Sequence, residues 1–123
     1  MTTRFNNFIA GQWVESTTGE TFDNVNPADT RDVIGRFPLS SPADVDRAVA
    51  SAQRGFEAWR ATPAPLRGDV LRRVGDIMSS RKEAIADLMT REMGKPLAET
   101  RGDVQEGIDT AYYAATEGRR LFG

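Results

Sequence analysis

The side chains with the widest chemical reach in this chain are Lys95, the carboxylates Glu99, Asp103 and Glu106, the tyrosines Tyr112-Tyr113, and the pairs Ser40-Ser41 and Ser79-Ser80. Lys95 stands in Glu92-Met93-Gly94-Lys95-Pro96, where its ammonium could bind a phosphate or a carboxylate. The same pattern reads as a helix stop, because glycine takes the left-handed C′ conformation and a lysine suits the negative end of the helix dipole. We expect the structural role. Glu99, Asp103 and Glu106 share one helix side, but a metal site needs several elements converging on it. With Arg101 nearby, the row reads as a solvated face. Asp44, Asp46 and Glu57 read as helix-surface charges.

The serines have nothing to activate them. The chain contains no histidine and no cysteine, so it lacks the commonest general base, a thiolate nucleophile, the usual zinc ligands and any disulfide. Ser40-Ser41 fits a helix cap and Ser79-Ser80 a helix irregularity. Adjacent helical residues point about 100° apart, so Tyr112 and Tyr113 cannot face one pocket; one should pack and the other lie near the surface. Trp13 and Trp59 are expected to anchor core or interdomain packing. Arg67, Arg72, Arg73, Arg81 and Lys82 form a basic run, yet Asp69, Asp76 and Glu83 interleave with it. A solvated face or subunit contact fits this better than an RNA or membrane surface. No Gly-x-Gly-x-x-Gly and no Walker loop is present, so the short phosphate-cradling fingerprints are missing. No catalytic, cofactor-binding or metal residue is expected in this segment.

Composition agrees with that reading. The chain has 123 residues, enough for one compact domain but near the low end for a catalytic domain with a cofactor cleft. Hydrophobic residues make up 39% and charged residues 28%, a mixture able to build a core. Sixteen basic and 18 acidic side chains leave a formal charge of -2, which supplies no broad positive field for nucleic acid. The first apolar run, Phe8 to Ala10, is too short for a signal peptide or for a membrane span of about 20 residues. The expectation is a soluble, cytoplasmic chain with neither nucleic acid nor membrane as partner.

Residues 8–37 look extended. Phe8, Ile9, Trp13, Val14, Phe22, Val25, Val33, Ile34 and Phe37 fall in short runs broken by Gly11, Ser16-Thr17-Thr18-Gly19, Asn26-Pro27 and Gly35. β-branched and aromatic residues suit strands, and the Gly and Asn-Pro points suit turns. Strands are expected near 8–14, 21–25 and 32–37, needing cover on their apolar side. The pattern then becomes helical. Ser41-Pro42-Ala43-Asp44 offers an N-cap hydroxyl, a proline at N1 and a carboxylate at N3. Val45, Ala48, Val49, Ala52, Phe56 and Trp59 recur at helical spacing, so one face of 42–60 should be buried. Pro63 and Pro65 separate this helix from a second, with Leu66, Val70, Leu71, Val74, Ile77 and Met78 on one stripe. After a possible break at Ser79-Ser80, Ile85, Leu88, Met89 and Met93 resume the pattern. A last helix from about 98 aligns Val104, Ile108, Ala111, Tyr112 and Ala115, and Leu121-Phe122 leaves apolar material at the terminus. A self-contained domain more often tapers into a polar tail.

Several segments, in order, are similar to the N-terminal region of the aldehyde dehydrogenase superfamily. Phe8-Ile9-Ala10-Gly11-Gln12-Trp13-Val14 resembles its first strand, and Asn26-Pro27-Ala28 with Val33-Ile34-Gly35 its next characteristic stretch. Ala48…Ala52…Phe56…Trp59, Arg67…Leu71, Glu92-Met93-Gly94-Lys95-Pro96 and Ile108…Tyr112-Tyr113-Ala114 follow at matching spacing. Asp29-Thr30-Arg31 departs from the family's usual Thr-Gly-Glu/Lys turn.

The resemblance implies an α/β fold: the N-terminal part of an aldehyde dehydrogenase-like fold, with short antiparallel strands followed by three main amphipathic helical stretches. Residues 1–40 would contribute to an interdomain or assembly sheet. Residues 41–123 would form the helical part of an incomplete cofactor-binding domain, Rossmann-like when whole. A full-length enzyme would oxidise an aldehyde to a carboxylic acid with NAD or NADP, as a homodimer or homotetramer. In the family a cysteine thiolate forms a thiohemiacetal, hydride transfer leaves a thioester, and a glutamate activates the hydrolytic water. Those residues, and the lysine that meets the cofactor, fall beyond this segment; Lys95 is not that lysine. The segment alone is expected to be inactive and to bind no cofactor tightly. A non-catalytic binding or assembly module with the same fold is the alternative.

Overall fold

The computed structural model describes residues 2–120. Leu121-Phe122 lies outside the described residues. The chain divides into two compact units, Met1–Ala58 and Trp59–Gly123.

The first unit holds four strands and most of a helix. β1 (Asn7–Ile9) and β2 (Gln12–Val14) pair antiparallel, Phe8 opposite Trp13. The single strand expected over 8–14 is thus a hairpin. Its turn is Ala10-Gly11, both at positive φ (55° and 78°), a conformation that glycine adopts freely and that reverses the chain in two residues. Phe8 and Trp13 sit 4.9 Å apart between ring centres on an exposed face.

β3 (Thr21–Asn26) and β4 (Asp29–Pro38) form a second antiparallel pair, joined at Asn26-Pro27-Ala28. The Asn26 side-chain oxygen accepts from the Ala28 N–H at 2.9 Å, an Asx turn that explains the asparagine before proline. In the departing Asp29-Thr30-Arg31 stretch, Arg31 closes on the Asp29 carboxylate at 2.8 Å. Phe5 stacks on Phe37 with centroids 4.7 Å apart and covers Gly35. The backbone of residues 3–5 runs along β4 at Arg36.

α1 (Pro42–Ala61) begins as its sequence indicates. The Ser41 hydroxyl accepts from the Asp44 N–H at 3.3 Å, while the Asp44 carboxylate accepts from the Ser41 N–H at 2.9 Å, a reciprocal capping box. Its apolar stripe is not buried. Val45 is 55% and Val49 50% exposed, where amphipathicity marks a face for burial.

The second unit is three helices. α2 (Ala64–Ser80) and α3 (Lys82–Met93) are separated by Arg81, whose N–H reaches both Ile77 and Met78 carbonyls at 3.1 Å. The break falls one residue after Ser80, whose hydroxyl bonds the Ile77 carbonyl. α3 ends at Gly94, left-handed with φ 70° and its N–H on the Thr90 carbonyl, as its sequence indicates. α4 (Leu97–Glu117) returns along both.

α2 meets α4 through glycine rather than through its apolar stripe. A methyl group at Gly68 would strike the Ala115 carbonyl, and one at Gly75 would come within 2.8 Å of the Tyr112 ring. Gly107 faces Met78, and Gly118 faces the Ala64 carbonyl, so the two helices run antiparallel at close range. Leu66, Val70, Val74 and Ile77, which helical spacing puts on one stripe, are exposed on another face of α2. Period alone locates an apolar stripe but does not say which neighbour covers it. The core is small: Ala86, Val104 and Ile108 are buried, with Met78, Ile85, Met89 and Leu97 packed around them.

Candidate functional site

The most connected polar cluster centres on Asp44, which is 2% exposed. Sequence reading placed Asp44 among surface charges; the structure buries it. The loop after β2 folds over the start of α1 and aims donors at its carboxylate. The Thr17 N–H donates to both carboxylate oxygens, at 3.1 and 3.2 Å, and the Thr17 hydroxyl to Oδ2 at 3.1 Å. The Ser41 N–H and hydroxyl donate at 2.9 and 3.0 Å. Arg47, one turn along α1, reaches Oδ1 at 3.3 Å. The Ser41 N–H above all holds the Asp44 carboxyl below its ordinary range, against burial, which raises it. A carboxylate this fully donated to stays ionised and has no lone pair directed at a ligand. It fastens a loop to a helix. The signal for it was present in Ser-Pro-Ala-Asp, but the partner Thr17, 27 positions away, was not legible.

Lys95 faces two of the carboxylates of the acidic row. Its ammonium pairs with Asp103 and lies 4.0 Å from Glu99, so it bridges the α3–α4 connection to α4 rather than resting on a helix end. The Asp103 carboxylate raises its pKa above the ordinary lysine value. The pair holds the ammonium protonated. Arg101 turns away from the acidic row to Glu83 on α3, at 2.8 Å.

Tyr112 and Tyr113 divide as their 100° separation demands. The Tyr112 ring lies over Gly75 and its hydroxyl donates to Asp76 at 3.0 Å, which raises its pKa. Tyr113 is 64% exposed. Within the basic run, Arg72 pairs with Asp76 at 3.1 Å and Lys82 donates to Gln105 at 2.8 Å. Thr90 and Thr100 share a hydroxyl contact of 2.8 Å beside the core, and Thr100 is fully buried; nothing in the sequence singled them out. Trp59, Arg67, Leu71, Gly118 and Arg120 line an open groove of about 470 Å³.

Among the described residues, no group of three or more acidic side chains could hold a metal. Gly68, Gly75, Gly107 and Gly118 are each closed by neighbouring protein atoms, while Gly11, Gly19, Gly55 and Gly102 are open. No described helix is long and apolar enough to cross a membrane.

Short antiparallel strands followed by amphipathic helices with exposed apolar side chains make this an α/β arrangement. The model for the aldehyde dehydrogenase family matches residues 13–123, and the chain belongs to that family. It is 44% identical over 117 residues to an alpha-ketoglutaric semialdehyde dehydrogenase of Bacillus subtilis (strain 168), covering 95% of this chain and 24% of that protein. It superposes on an NADP dependent enzyme of E. coli with TM-score 0.91 and 34% identity, covering 98% of this chain and 25% of that one. An NAD-dependent aldehyde dehydrogenase from Sinorhizobium meliloti gives TM-score 0.89 and 32% identity, covering 95% and 24%. The chain spans about a quarter of the length of these relatives.

Proposed function

We propose that these residues are the N-terminal packing and assembly portion of a protein that, at full length, oxidises an aldehyde to a carboxylic acid with NAD(P)+. The chemistry proceeds through a cysteine thiohemiacetal and thioester whose residues lie outside this segment. One observation carries the reading. A chain matching its family over residues 13–123 has no cysteine at all, and apolar side chains stand exposed on helices of both units, Val45 and Val49 on α1 and Val70 and Val74 on α2. Exposed stripes of this kind mark surfaces that expect protein against them.

In this reading, residues 1–40 supply strands to an interdomain or assembly sheet. Residues 41–123 form the helical flank of a Rossmann-like cofactor domain. The whole protein works in the cytoplasm as a homodimer or homotetramer. The relatives named for NAD and for NADP are both close in fold, which leaves either nucleotide as the oxidant.

The direct test is the intact mass of the native protein, followed by assay of that protein with alpha-ketoglutaric semialdehyde and simple aldehydes. The reading expects a mass about four times that of this chain, from the 24% coverage of the relative, and reduction of NAD(P)+ that requires aldehyde. A native product of 123 residues that folds cooperatively would favour the non-catalytic module instead.

A further inference from the structure

We draw no further inference here: the strongest candidate, the open groove between the start of α2 and the end of α4, where the Arg67 Nε has no hydrogen-bond partner among the described residues, carries nothing, because Arg67 is only partly buried and nothing in the structure shows what covers the groove.

Discussion

Thr17 and Asp44 lie 27 positions apart and meet through three hydrogen bonds of 3.1–3.2 Å, which tie the loop after β2 to the first turn of α1. The Asp44 carboxyl is held below its ordinary pKa, chiefly by the Ser41 N–H. Stability from a depressed carboxyl is fully present above its unfolded pKa and is lost as pH falls through the lower folded value. We predict that Asp44→Asn lowers the urea midpoint at pH 7, since its amide N–H₂ faces the donors of Thr17 and Ser41. The gap to wild type should narrow as pH drops below the ordinary aspartate value of 3.8. A gap that stays constant down to pH 3 would contradict the role given to the charge.

The capping box offers a milder test. Ser41→Ala removes the hydroxyl that accepts the Asp44 N–H and should cost about 1 kcal/mol, the usual worth of an N-cap. Ser79→Ala, at a position with no capping role, should change the unfolding free energy by less than about 0.5 kcal/mol.

Two helical glycines of the second unit should respond in opposite directions. Gly68→Ala pushes a methyl onto the Ala115 carbonyl, and backbone cannot move aside cheaply; a loss of about 2 kcal/mol is expected. Gly102 has no atom within 4 Å of an added methyl, so Gly102→Ala should gain about 0.5–1 kcal/mol from helix propensity alone. Denaturant unfolding of both variants checks the pair. Equal effects would show that the helices do not meet where the structure places them.

These particulars show what the sequence made legible. The element types, the capping box, the Gly94 stop and the break near Ser80 rest on local chemistry, and the structure agrees with each. β-branched and aromatic residues make 8–14 look like one strand; Ala10 takes positive φ, which side-chain type does not announce. Helical period marks one apolar stripe on α2, and Leu66, Val70, Val74 and Ile77 of it are exposed. Its close contact is instead made by Gly68 and Gly75, residues with no hydrophobic signal. Asp44 was taken for a surface charge because its burial depends on a loop distant in sequence. As for chemistry, the absence of histidine and cysteine was visible at once.

The uncovered stripes give a prediction about context. Ile108 is buried at 3% exposure, and Ile108→Ala should cost about 3 kcal/mol in any length of chain. Val70 is 50% exposed, and Val70→Ala should cost less than about 0.5 kcal/mol in the 123-residue chain. In the full-length protein the same change should cost about 1.5 kcal/mol, the value of two buried methyl groups. Equal small costs in both lengths would mean that α2 faces solvent in the full-length protein.

The central claim is that the chemistry lies outside these residues. The most direct measurement is aldehyde-dependent reduction of NAD(P)+ by purified residues 1–123, run beside the full-length protein at equal molarity. The account predicts turnover by the full-length protein and none above buffer from the short chain. Turnover that follows the 123-residue polypeptide through successive columns would contradict it.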